Sequence, residues 1–268
     1  MSALGTQRLP VEPIKVLEFS RAVRWQRPGV PPTFTVVAAH YAPPGRSANE
    51  LIIEAAGLAQ SRVLLGAVSW SYRRPLVAND QLTGSVALTG CRTTTSRAGL
   101  ELRIATGETS WAGPSGEPVV TVGVTLIEPA GPAAAGPAVP PPTEPADAAE
   151  HAEDAVTISR TDIVRYAGAA GDFNPMHHDA VAARALGYPD VFAMGLLPAG
   201  ILASRATDGG EPLRALAARF RGLVWPDVAY TVTSRRADDG QQHALALVDP
   251  QGTTVLELTA TSGAGHDG

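Results

Sequence analysis

A single cysteine, Cys91, stands in a chain of 268 residues, which rules out an internal disulfide framework and a zinc site built on cysteine ligands. Lysine is equally scarce. Lys15 is the only one, and the other basic side chains are arginines that gather on no one segment. With a net charge of −5, the chain lacks the basic stripe of a nucleic-acid binder. No apolar run reaches the roughly 18 residues of a membrane span. The opening "MSALGTQRLPVEP" shows no basic segment leading into an apolar one, so no secretory signal is read there and a soluble, cytoplasmic protein is expected.

What remains is ample material for a core, since 44% of the residues are hydrophobic. The composition breaks once, at "EPAGPAAAGPAVPPPTEPADAAEHAEDA", which is rich in Pro and Ala and has no apolar periodicity. Such a stretch cannot bury a core and reads as a semi-rigid linker. The expected organisation is a first domain over residues 1–129, a linker over 130–155 and a second domain over 156–268.

The two halves follow one plan. "WSYRRPLVANDQLTGSVAL" in the first and "ARFRGLVWPDVAYTVTS" in the second both open alternating runs. Tyr72 corresponds to Phe220, and Asp80 to Asp227 with one residue of slip. Each half then ends in a hairpin pattern around "AGPSGE" or "DPQG", the signature of antiparallel strands. Helical patterns come first. "TDIVRYAGAAG" offers Thr161 as N-cap and Gly171 as stop; "DAVAARALG" offers Asp179 and Gly187. "FAMGLLPAGILASRATD", Phe192–Asp208, is apolar nearly all round and is predicted to be a buried helix. One buried helix wrapped by an antiparallel sheet in each half is an α+β arrangement.

The polar exception is "GDFNPMHHD". Gly171 ends one helix, and Pro175 holds Asn174 extended, so Asp172 and His177 are placed by a fixed loop. A carboxylate beside an imidazole suits proton transfer near neutral pH. Free N–H groups at the next helix start, near Met194 and Gly195, can stabilise a developing oxyanion, and glycine admits a carbonyl closely. With an acid/base pair, an oxyanion site, no metal and no nucleophile, the parts suit adding or removing water beside a thioester carbonyl. His178 is read as a solvated neighbour, His40 as a surface residue, Tyr72 and Phe220 as core or tunnel wall, and Asp80 and Asp227 as strand-end turns. Cys91 is read as a buried small residue. Arg184, Arg205 and Arg221 are candidates for CoA phosphates, although isolated arginines usually serve solubility.

"YAGAAGDFNPMHHDAVAARALGYPDVFAMGLLPAG" (Tyr166–Gly200) resembles the hydratase motif of the MaoC-like, (R)-specific enoyl-CoA hydratase family. "FRGLVWPD" resembles the strand that follows, without the usual Gly before the Asp, and "GVPPTF" with "YRRPLVANDQL" resembles the degenerate first domain of two-domain members. The resemblance implies a double hot-dog fold and reversible hydration of a trans-2-enoyl-CoA to the (R)-3-hydroxyacyl-CoA. Asp172 and His177 would activate water, Asn174 would brace the loop, and the Gly195 N–H would polarise the carbonyl. It implies no cofactor or metal, only a CoA thioester substrate. Two positions depart from the pattern: Met194 stands where many members carry His, and Ala203 where a Ser is often found. "RWQRP" leaves no room for a second such loop in the first half, so one active site per chain is expected, with space for a long or bulky acyl group.

Three other functions are set beside this one. A 3-hydroxyacyl-carrier-protein dehydratase of fatty-acid or polyketide synthesis uses the same chemistry in reverse. A non-catalytic acyl-binding hot-dog subunit has no need of Asp172 and His177. A thioesterase would need a carboxylate on the apolar helix, which offers none. Strands such as "TVLELTATS" leave edges that need cover, so a homodimer is considered.

Overall fold

The computed structural model describes residues 3–40, 46–96, 99–130, 155–207 and 212–263. The Pro/Ala-rich segment read as a linker lies almost wholly outside them, as do Asp208 and the side chain of His40. The first half runs β1 (Gly5–Pro10), α1 (Pro13–Ala22), a 3-10 stretch (Pro32–His40), α2 (Ala48–Ala55), β2 (Leu64–Tyr72), β3 (Gln81–Thr95), β4 (Glu101–Ala112) and β5 (Pro118–Pro129). The second half runs β6 (Ala155–Thr157), α3 (Arg160–Ala170), a 3-10 turn (Pro175–His177), α4 (Ala180–Ala185), α5 (Leu196–Ala206), β7 (Leu213–Phe220), β8 (Ala229–Arg236), β9 (Gln242–Val248) and β10 (Thr254–Ser262).

The ten strands among the described residues form one antiparallel sheet in the order β1-β3-β4-β5-β2-β7-β10-β9-β8-β6. The order reads as the same five-strand pattern from either edge, meeting at β2 and β7. There Trp70 faces Leu216 and Ser69 faces Ala217. This bears out the reading of two copies of one plan. It corrects the reading of β10 as an exposed edge, because β7 and β9 flank it.

The alternation expected of the strands is visible in β2, where Val68, Trp70 and Tyr72 are buried and Ser69 and Ser71 exposed. The buried set faces the helices and joins a core that runs through both halves. Trp70 Nε1 donates to Thr35 Oγ1 at 2.9 Å, and the Tyr72 hydroxyl donates to the Pro32 carbonyl at 2.8 Å. These bonds let two aromatic side chains be buried without an unpaired polar atom.

The helix layer differs between halves. In the second, α5 is a single helix buried on nearly all sides, from Leu197 to Ala203 and again at Ala206. In the first, a 3-10 stretch with Phe34 and Val37 buried packs against α3 and α5. Separately, α2 covers β3 and β4 over a small core of Ile52, Ile53, Val86, Ala105 and Leu126. The expected single buried helix per half therefore holds only for the second.

Several local readings need correction. The N-cap of α3 is Ser159, not Thr161: its Oγ accepts from the Asp162 N–H at 3.1 Å, while the Asp162 carboxylate accepts from the Ser159 N–H at 3.0 Å. Asn79, not Asp80, is the counterpart of Asp227. Both take positive φ (73° and 62°), and both N–H groups reach back 2.8 Å to a carbonyl just after the first strand of their half, Val11 or Ile158. Cys91 is exposed, because β3 shifts register at Leu88/Gly90 and runs on with every side chain from Cys91 to Thr95 exposed.

Candidate active site

The loop that follows α3 is shaped residue by residue. Gly171 caps the helix at φ 82°, a left-handed conformation that costs glycine little. Asp172 Oδ1 then accepts from the Asn174 N–H at 3.3 Å. Asn174 Oδ1 accepts from the Met176 N–H at 3.3 Å and caps the 3-10 turn, with Pro175 at the position where a missing N–H is harmless. Asp179 caps α4 by accepting from Val181 and Ala182, and Gly187 ends it at φ 89°. These bonds account for the density of polar residues here: most of them order the turn.

His177 is the exception. It is 8% exposed, and its Nδ1 lies 2.8 Å from the Phe192 carbonyl oxygen. A carbonyl can only accept, so Nδ1 carries the hydrogen and neutral His177 presents a lone pair at Nε2. Burial lowers its pKa from the ordinary 6.5, opposed by the negative charge of Asp172 and by the Phe192 bond. The ring is therefore held neutral, in a fixed tautomer, within the field of a carboxylate. Phe192 is itself fixed. Its ring packs edge-on to His177 (4.9 Å between centroids), against Tyr188 (4.7 Å) and edge-on to Trp225 (6.0 Å), and the next N–H, of Ala193, donates to the Val224 carbonyl.

Phe192 to Met194 are buried but precede the helix. Gly195 is the N-cap and α5 starts at Leu196, four residues later than expected. Gly195 has no room for a side chain, since an added Cβ would lie 2.9 Å from Cε1 of Phe220. The helix start therefore presents backbone N–H groups, with their partial positive charge, at the end of the segment that carries the His177 acceptor. Ala203 is fully buried, and neighbouring Ser204 donates to the Arg24 carbonyl.

The structure thus gathers Asp172, His177 and the loop-bracing Asn174 on one turn, and joins that turn through Phe192 to the Met194–Gly195 helix start. His178 is exposed, with Nε2 3.2 Å from the Phe173 carbonyl oxygen. Arg221 pairs with Glu257, and Arg205 donates to the Ala155 carbonyl. A hollow of about 420 Å³ lies across the sheet, on its outer face, lined by small residues such as Ser69, Gly123, Ala217 and Thr259. It has no acid/base pair like that of the loop. Sequence reasoning did not find Phe192, because its contribution is a backbone carbonyl that any residue could supply. It found Phe220 as core or tunnel wall, without its contact at Gly195.

Residues 143–250 match the MaoC-like domain, and residues 17–122 match the FAS1-like, dehydratase domain region. No curated protein sequence matches the chain. Solved structures agree in fold. HtdX of Mycobacterium tuberculosis superposes with a TM-score of 0.71 at 18% identity, covering 97% of this chain and 99% of that one. A MaoC-like dehydratase from Phytophthora capsici gives 0.71 at 14%, covering 97% and 96%. A conserved hypothetical protein of M. tuberculosis with a double hot-dog fold gives 0.57 at 12%, covering 98% and 96%. The fold is a double hot-dog, in which a segment matching the FAS1-like dehydratase region is followed by one matching the MaoC-like domain.

Proposed function

We propose that the chain reversibly hydrates trans-2-enoyl-CoA to (R)-3-hydroxyacyl-CoA at the Asp172/His177 loop. The observation that carries this reading is the buried, neutral His177, fixed on the Phe192 carbonyl with its Nε2 lone pair free and the Asp172 charge beside it. Water is held by the pair, and His177 Nε2 takes a proton as the water oxygen bonds to Cβ. The electrons of the Cα–Cβ double bond move to the thioester oxygen, where the Gly195 N–H meets the developing charge. The pair then returns the proton to Cα on the same face. The reverse sequence expels water. CoA serves as the carrier of the substrate, and the chemistry calls for no other group.

A second reading is dehydration of a 3-hydroxyacyl group on an acyl carrier protein. It is favoured by the match of the first half to a FAS1-like dehydratase region. The test follows the absorbance of the enoyl thioester with crotonyl-CoA, a medium-chain enoyl-CoA and a bulky polycyclic enoyl-CoA, with product chirality determined. The reading expects turnover of at least one to the (R)-alcohol. Binding of all three without turnover would favour the non-catalytic subunit, and turnover only of carrier-bound substrate the second reading.

A further inference from the structure

Tyr166, in the last turns of α3, is 1% exposed, yet its hydroxyl has no hydrogen-bond partner among the described residues. The contrast with the other large phenols is sharp. The Tyr72 hydroxyl donates to a carbonyl, and the Tyr230 hydroxyl accepts from the Trp225 N–H at 2.8 Å. A buried phenol left unpaired is destabilising, and folded proteins seldom keep one without a reason.

The internal symmetry of the chain supplies a comparison. Phe19 on α1 and Tyr166 on α3 pack on each other, with ring centroids 5.8 Å apart. Arg24, Trp25 and Pro28 stand to Phe19 in the sequence as Gly171, Asp172 and Pro175 stand to Tyr166. The backbone follows the same correspondence, with Arg24 at φ 57° and Gly171 at φ 82°. The half that has Trp25 in place of Asp172 has a plain phenyl ring in place of the phenol. The hydroxyl is present only where the carboxylate is. The charge that Tyr166 feels is that of Asp172, which adds to the effect of burial in keeping the phenol protonated and so a donor.

We propose that Tyr166 is the positioning residue for Asp172, its hydroxyl closing onto the carboxylate when an acyl thioester fills the site. The inference rests on the hydratase reading above. Among the described residues, Asp172 Oδ1 is engaged only by the Asn174 N–H at 3.3 Å, a long contact. Catalytic hydrogen bonds are often loose before substrate binds and tighten in the complex. A phenol donor would fix the carboxylate rotamer and favour its ionised form, while removal of bulk water strengthens the bond.

The test is Tyr166→Phe, measured for kcat, for affinity toward a saturated acyl-CoA that cannot react, and for Tm. The proposal expects kcat to fall about ten- to hundredfold, saturated acyl-CoA affinity to stay within about twofold, and Tm to hold or rise, because an unpaired buried hydroxyl is removed. In an Asp172→Ala background the same change should cost less than about twofold, since residues acting as a unit are not additive. Phe19→Leu disturbs the same ring pair without touching the hydroxyl and should lower Tm while keeping most of kcat. A kcat for Tyr166→Phe within twofold of wild type overturns the proposal. So does a loss that comes with weaker saturated acyl-CoA binding or lower Tm, or one that recurs undiminished in the Asp172→Ala background. A wild type inactive on every enoyl thioester overturns the hydratase reading, and this inference with it.

Discussion

The 2.8 Å bond from His177 Nδ1 to the carbonyl of Phe192 links the Asp172–His177 loop to the segment that leads into α5. One contact sets three things at once: the tautomer of the imidazole, the direction of its free lone pair, and the spacing between that lone pair and the Gly195 helix start. In the hydratase reading these are the base, the water and the oxyanion site, so the geometry of the reaction depends on it.

Its first consequence is a dependence on pH. Folded His177 has a pKa below 6.5, chiefly because it is buried. A group with a lowered folded pKa contributes stability above its unfolded value and loses it as pH falls. Thermal unfolding measured between pH 8 and 5 should show Tm falling as pH drops below about 6.5, with a smaller slope in His177→Gln. The acid limb of kcat/KM should likewise lie below the usual histidine range. A limb at or above it would contradict a buried neutral base.

Gly195→Ala places a methyl group 2.9 Å from Cε1 and 3.0 Å from Cδ1 of the Phe220 ring. Either the ring or the helix start must move. Overpacking of this kind costs about 1–3 kcal/mol, and a displaced N–H should lower kcat about tenfold or more. The two effects are read from Tm and from turnover. Pairing the change with Phe220→Leu should recover most of the stability, because it removes the ring that the methyl meets.

Ser159→Ala removes one side of the capping box at the start of α3. The expected loss is about 1 kcal/mol, measured by denaturant titration. Turnover should change little, because the loop is set at the other end of the helix.

Glu128 carries a separate prediction for the first half. Its side chain is buried, accepts from Arg103 Nη1 at 3.0 Å and pairs with Arg62, which ties β5 to β4 and to the short turn before β2. Glu128→Gln should lower stability by about 1–3 kcal/mol and leave turnover within about twofold. A large loss of turnover at unchanged Tm would mean that the first half takes part in the chemistry.

Much of this was legible in the sequence for physical reasons. Strands β9 and β10 follow from strict alternation around "DPQG", and Gly171, Asp179 and Gly187 do what their backbone preferences allow. Asp172 and His177 could be singled out because the loop holding them is forced by Gly171 and Pro175. The failures also have causes. Ser159 and Thr161 both qualify as caps by chemistry, and only the reach of the Asp162 carboxylate distinguishes them. The start of α5 could not be placed, because Phe192 to Met194 are as apolar as the helix and are buried for a different purpose. The phenol of Tyr166 was visible only as an aromatic residue, since an unpaired hydroxyl is a property of the fold.

The central claim, that Asp172 and His177 together move the proton of the added water, is tested most directly by comparing enoyl-CoA hydration rates of wild type, Asp172→Asn and His177→Ala, with Tm measured on each. The account predicts that both variants fold and that each loses at least about a hundredfold in kcat. Variants that fold and hydrate at near wild-type rates would contradict it, and the loop would then be a structural turn.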